Sequence, residues 1–407
     1  MRPASGRQAW LDWLRIGAVV SVVFYHAAMP FAAGETWHIR NAEESKLLLE
    51  FNFWSSRFRM PLLFFVSGAV TFHLLSRKSV GEFIRLRFVR LMVPLLFGML
   101  VIVPPQVYME RLAAGKATSF LTFYPSVFDF VPYPEGNTSW HHLWFILYLF
   151  AYDLAGAPVL RWMLGRLAAG GLRWVDWCSR GARVYLLGLP QVVAFATLIL
   201  AYPSRQDFIH DPAMHVVYAS SLVAGFLVAA HAPLLASVVR HRRTSLTLAV
   251  ATMAFVNYAR WNDLAPWTVA APGWREAWST KAYLAIMATT AWCWVLAIVG
   301  YGKRYLDHRH AALEYLNPAV YPVYILHQTV IVILAYYVVR STDSVVAKYL
   351  FLVSWSFALT ILAYHLVVRP SRWLRPLFGM AGDGPGNWRS ASPRDTITRG
   401  AVVDTTG

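Results

Sequence analysis

Ten stretches of 17 to 23 mostly apolar residues follow one another along this 407-residue sequence. They cover roughly 14–33, 53–75, 88–107, 142–160, 184–202, 213–235, 244–260, 281–301, 317–339 and 348–368. A helix needs about 20 such residues to cross roughly 30 Å of hydrocarbon, where only helices and closed barrels satisfy their own backbone. Charged residues make up 14% of the chain, against about a quarter in a soluble domain. That is too few to cover a water-facing surface of this size. The expected fold is an all-α integral membrane protein, a bundle of about ten transmembrane helices. The first apolar run has full span length and no convincing small-residue cleavage site, so it reads as a retained helix rather than a signal peptide. With 2 Cys, a disulfide-stapled secreted module is excluded.

The formal net charge of +16 resembles a nucleic-acid signal until the charges are placed. Of 37 Lys and Arg, 25 fall on the termini and the even-numbered connections between spans. Positively charged loops stay cytoplasmic during insertion, so the alternation predicts both termini in the cytoplasm. The lipid bilayer is the expected partner and nucleic acid is not. The longest connection on the other side is 108–141, where Pro125, Pro132, Pro134 and Gly136 forbid a long helix. Residues 1–378 read as one membrane domain. Residues 379–407 are rich in Gly, Pro, Ser and Thr, and a disordered cytoplasmic tail is expected there.

Ionisable groups at span depth are costly and usually face a cavity. Arg15 and His26 are 11 residues apart in the first span, about three turns, so both project from nearly one face some 16 Å apart. A cation at the cytoplasmic entrance and a proton acceptor at depth suit a phosphorylated donor that enters from inside. A snorkelling Arg and a His bonded to a neighbouring helix would give the same spacing. Arg87 and Arg90 lie at i, i+3 where the third span begins. Paired guanidiniums can fork onto phosphate oxygens there, although the positive-inside rule alone also demands cations. Pro94 is expected to kink this helix. Arg59 leads into the second span on the outer side, and Ser67 and Gly68 below it allow close helix approach. His141 and His142 open the fourth span on different helix faces, so no metal site is expected. His327 lies about ten residues into the ninth span.

Together these motifs resemble the membrane acyltransferase family 3, ten-span enzymes that acylate cell-surface carbohydrates. The family's Arg-x10-His signature matches Arg15 and His26, and its Arg-x-x-Arg motif matches Arg87 and Arg90. A narrower resemblance, to members that act on periplasmic glucans, is carried by TWHIRNAEES with His38 and Glu43, SRFRMPLLFFVSG with Arg59, HHLWFILYL with His142 and NPAVYPVYILHQ with His327. The resemblance spans roughly residues 10–370. It implies acyl-CoA (acetyl-CoA or succinyl-CoA) as a donor substrate, with no permanently bound cofactor, and a periplasmic or cell-surface glycan as acceptor. It places the protein in the bacterial inner membrane. Arg15, Arg87 and Arg90 would hold the donor. His26 and Arg15 would be the catalytic residues, with His26 the general base on a sugar hydroxyl or the carrier of the acyl group. Arg59, His38, Glu43, His142 and His327 would face the acceptor. The rival reading is a transporter or flippase for an anionic metabolite or lipid-linked sugar. It would be expected to show broken half-helices at matching positions of two repeats, and the sequence has no such pairing.

Overall fold

The computed structural model describes residues 8–269 and 272–380, so the expected tail lies outside the described residues except for Gly379 and Met380. Among the described residues ten long helices carry the fold: α1 (Ala9–Ala28), α2 (Lys46–Leu75), α3 (Val80–Ala113), α4 (His141–Ala168), α5 (Gly181–Leu198), α6 (Pro212–Ala230), α7 (Arg242–Trp261), α8 (Trp278–Tyr305), α9 (Ala312–Val338) and α10 (Val345–Val368). Nine of them are long and apolar enough to cross a bilayer. The exception is α7, at 244–260 of the expected spans. It forms a 20-residue helix, but Arg242, Arg243, Thr244, Ser245 and Asn257 dilute its hydropathy. It packs along α8.

The outer surface of the bundle is apolar. Leu96 and Val101 of α3, Val159 and Trp162 of α4, and Phe351 and Leu362 of α10 are all exposed. Polar groups such as Asp153, Gln106, Thr290, Ser356 and His327 are buried. This inversion of the soluble pattern is what a bundle surrounded by lipid requires, and the chain is a multi-pass membrane protein. α1 is central and packs against α2, α8, α9 and α10. Asp12 lies in the first turn of α1, while Gln8 occupies the N-cap position without a side-chain capping bond.

Two features of the helices position the site. The first is the crossing of α2 and α6. A Cβ on Gly68 would fall 1.9 Å from the Leu222 carbonyl oxygen, and one on Gly225 would fall 1.8 Å from the Phe65 carbonyl oxygen. Each glycine accepts the other helix's backbone, as small residues do at membrane crossings. We expect Gly225→Val to push the helices apart and destabilise the fold by at least the 1–3 kcal/mol typical of overpacking. Thermal unfolding in detergent would show it as a lowered midpoint.

The second is α3, which contains two π-helical turns, Phe88–Met92 and Gly98–Ile102. Pro94 follows the first closely, and Pro104 and Pro105 follow the second. Proline has no N–H to return to the preceding turn, so carbonyls are released there. Tyr124 Oη donates to the Leu100 carbonyl at 2.9 Å and Thr329 Oγ1 to the Ile102 carbonyl at 2.6 Å. The expected disturbance at Pro94 is therefore a widened turn, and it carries Arg90.

Candidate active site

At the end of the bundle where α1 begins, a cavity of about 840 Å³ lies between α1, α2, α3, α4, α9 and the last turn of α10. Five arginines line it: Arg15, Arg87, Arg90, Arg369 and Arg375, with Glu314 opposing them. Arg15 reaches across to α9, with Nη2 3.1 Å from the Asn317 carbonyl oxygen. Arg375 Nε and Nη2 donate to the Arg369 carbonyl at 2.8 and 2.6 Å. Gly379 and Met380 close one side, and Val19, Leu63, Phe145 and Tyr324 line its apolar part. A cavity with cations at one end and aliphatic and aromatic walls beyond suits an elongated anionic molecule.

The two arginines of the Arg-x-x-Arg motif differ. Arg87 is buried, with Nε 2.5 Å from Asp153 Oδ2 and Nη2 3.3 Å from Thr71 Oγ1. Thr71 Oγ1 donates to the other Asp153 oxygen at 2.8 Å. This network ties α2, α3 and α4 together, and much of the Arg87 guanidinium is engaged in holding helices. Arg90, one turn on, is only half-buried and makes no such ion pair among the described residues.

The second cluster centres on His26, which is half-buried on α1. Its Nδ1 lies 2.9 Å from Nε2 of His327, a fully buried residue of α9, and the rings stack with centroids 5.1 Å apart. His327 Nδ1 lies 2.6 Å from the Tyr324 carbonyl oxygen. A carbonyl only accepts, so His327 carries its hydrogen on Nδ1. In the neutral pair its Nε2 then accepts from His26 Nδ1–H. His26 Nε2 is left with an open lone pair, the state a base or nucleophile requires. His142 stands edge-on to His327, 5.0 Å between centroids. Its Nε2 donates to the Ile325 carbonyl at 3.0 Å, and its Nδ1 is buried without a partner among the described residues. Tyr324 Oη donates to the His142 carbonyl. Tyr324 thus belongs to both the basic cavity and the histidine cluster. The Arg59 guanidinium lies 3.1 Å above the Tyr25 ring centroid, and Tyr25 packs edge-on to His26. Arg59 Nε and Nη1 are buried and donate to no partner among the described residues. Cationic donors held this way beside a base can stabilise an oxyanion.

Farther toward the end where α1 stops, His38 Nδ1 donates to Glu110 Oε2 at 2.5 Å. Tyr133 Oη donates to both Glu110 oxygens at 3.1 Å. Burial together with the Glu110 charge pushes the Tyr133 phenol up to about 12, so it remains a donor at neutral pH. Glu43 is exposed in the loop between α1 and α2, where its backbone carbonyl accepts from Asn41 Nδ2. His26, His327, His142, Arg59 and His38 therefore come together, Arg15, Arg87 and Arg90 share the cavity, and Glu43 joins neither group. Asp153, Glu110, Arg369 and Arg375 were not among the sequence candidates. Asp153 was the one with a usable signal, as an acid inside an expected span.

Residues 8–365 match a family profile described as an acyltransferase domain. The chain is similar to glucans biosynthesis protein C of Escherichia coli O139:H28, 23% identical over 380 residues, which covers 89% of this chain and 92% of that one. The corresponding protein of Escherichia coli O157:H7 is 24% identical over 377 residues, and that of Salmonella heidelberg is 21% identical over 373, each with the same coverage. No solved structure matches the chain. The match across most of the sequence carries the conclusion that this chain belongs to the membrane acyltransferase family 3.

Proposed function

We propose that the protein is an O-acyltransferase of the bacterial cytoplasmic membrane, with both termini in the cytoplasm. It moves an acetyl or succinyl group from cytoplasmic acyl-CoA to a hydroxyl of an extracytoplasmic glycan. The observation that carries this reading is the open Nε2 of His26, set by His327 and the Tyr324 carbonyl beyond a cavity lined by arginines. The nucleotide phosphates of the donor meet Arg15, Arg90, Arg369 and Arg375, while Arg87 keeps the helices around them in place. The pantetheine arm runs along α1 past Val19 toward Tyr324.

His26 Nε2 takes the hydroxyl proton as the acceptor oxygen attacks the thioester carbonyl, and the C–S bond then breaks with that proton passing to the departing coenzyme A sulfur. In the other course Nε2 attacks the carbonyl itself, coenzyme A leaves, and the acceptor hydroxyl displaces the imidazole with its proton going to the thiolate. In either course the positive charge on the imidazole is shared with His327 through their hydrogen bond. Arg59 faces the oxygen that becomes negative in the tetrahedral intermediate. The glucan named in the relatives makes a glucose polymer the first acceptor to try.

Arg90 is the cation to test for donor binding, because it makes no ion pair among the described residues. Arg90→Ala is expected to weaken acyl-CoA binding about tenfold or more, the loss of one charge-assisted contact, with the thermal midpoint nearly unchanged. Calorimetry with acetyl-CoA and succinyl-CoA checks this, and undiminished affinity for both would remove Arg90 from the donor site.

A further inference from the structure

Asn317 and Tyr321 of α9 line the arginine-rich cavity, and the chemistry above uses the side chain of neither. Asn317 is 3% exposed, yet its Oδ1 and Nδ2 are both buried with no partner among the described residues. Tyr321 Oη is buried and unpartnered in the same way. Polar groups held like this inside an apolar helix are costly unless a ligand pairs with them. Their surroundings hold both in place. The Asn317 carbonyl accepts from Arg15 Nη2 at 3.1 Å, which sets this residue beside the cations. The Tyr321 ring lies parallel to that of Tyr324, with centroids 6.3 Å apart. Gly379, with φ at +67°, closes over it from the other side, where a Cβ would fall 2.3 Å from Tyr321 Cε1.

Both unpartnered side chains are neutral, so they match an uncharged part of the ligand. Positions i and i+4 share one helix face, about 6 Å apart along the axis. Along α9 the order is the Arg15 contact and Asn317, then Tyr321, then His327. An acyl-CoA repeats that order: phosphates, a hydroxyl beside an amide carbonyl, a second amide, and the thioester. The two amide carbonyls stand four bonds apart, about 5 Å in an extended chain. A side-chain amide carries a donor and an acceptor next to each other, as a carbonyl with a neighbouring hydroxyl requires. A phenol supplies the single donor that the second carbonyl needs.

We propose that Asn317 and Tyr321 recognise the pantetheine arm of the donor. Asn317 Nδ2 donates to the amide carbonyl nearer the phosphates, and its Oδ1 accepts from the hydroxyl beside that carbonyl. Tyr321 Oη donates to the amide carbonyl nearer the thioester. The assignment rests on the acyltransferase reading and adds a basis for donor selection: an acyl phosphate has neither amide and would leave both residues unpaired. A site built to bind a hydroxyl or amide discriminates against a ligand that lacks it, because its own buried group is then stranded.

The test measures binding by calorimetry to the full-length protein in lipid nanodiscs, so it does not depend on which acyl group is carried. The ligands are coenzyme A, an analogue lacking the hydroxyl beside the outer amide, and an analogue in which two methylenes replace the inner amide. Wild type should bind each analogue about tenfold more weakly than coenzyme A. Asn317→Ala should bind coenzyme A about tenfold more weakly than wild type and no longer distinguish it from the first analogue, while still distinguishing the second. Tyr321→Phe should show the reverse pattern. Variants that discriminate as wild type does would overturn the assignment, since a residue that only supports the helix would leave the matched analogue as weak as before. Equal binding of all three ligands by wild type overturns it too, even where a variant does not fold, and leaves the acyltransferase reading standing. A wild type that binds none of the three overturns both proposals together.

Discussion

His26→Ala is expected to lower acyl transfer by about 10³-fold, within the 10²–10⁴ range that a positioned base contributes, while the protein inserts and unfolds as wild type does. The reason is geometric. His26 is the residue whose ring nitrogen is left open by a chain of bonds that begins at the Tyr324 carbonyl and passes through His327. No other described residue reproduces that chain. The same logic predicts a graded series at His327, the buried partner. Its alanine variant lets His26 choose the wrong tautomer and should cost about 10–100-fold. His327→Gln, whose amide oxygen can still accept from His26 Nδ1, should recover part of the loss. Rates from the purified variants, compared at saturating donor, separate these outcomes. A His327 series in which Gln is no better than Ala would argue that His327 acts only by filling space.

The second large effect is on stability. Asp153→Ala leaves Arg87 as a buried cation with its carboxylate partner removed, and breaking such a pair typically costs about 3–5 kcal/mol. Asp153 is fully buried and bonded to both Arg87 and Thr71, so water has little access to compensate. The thermal midpoint should fall by many degrees. Replacing both partners, Asp153→Leu with Arg87→Met, removes the stranded charge and should restore much of the midpoint. An Asp153→Ala protein as stable as wild type would show that the network carries little of the packing of α2, α3 and α4.

That network shows where reading from sequence stops. The apolar stretches were legible because lipid imposes a length and an outward polarity that few other constraints can mimic. Their ends were less so. α2 begins at Lys46 rather than near 53, because its first two turns carry Lys46, Glu50 and Asn52, and its N-cap at Ser45 is local chemistry that hydropathy does not register. The weakest span was 244–260, whose helix is present but whose polar residues keep it outside the set apolar enough to cross.

The site followed the same division. The spacing of Arg15 and His26 is a property of one helix, so the sequence could reveal it. What makes His26 usable comes from α9, some 300 residues away. Arg87 is instructive in the other direction. Its spacing with Arg90 resembles a phosphate fork, and that role competes with a buried aspartate that only the fold brings to it. Glu110 lies in what read as the outer connection but belongs to the end of α3, and its meaning depends on His38 in the loop between α1 and α2.

Mass spectrometry of envelope glycans tests the central claim most directly. Glycans from cells carrying the intact protein would be compared with those from cells in which His26 is replaced by Ala and the protein is present at normal levels. The account predicts an acyl ester, 42 mass units for acetyl or 100 for succinyl by elementary composition (about one per modified hydroxyl), present in the first sample and missing from the second. The same ester at the same abundance in both would contradict it.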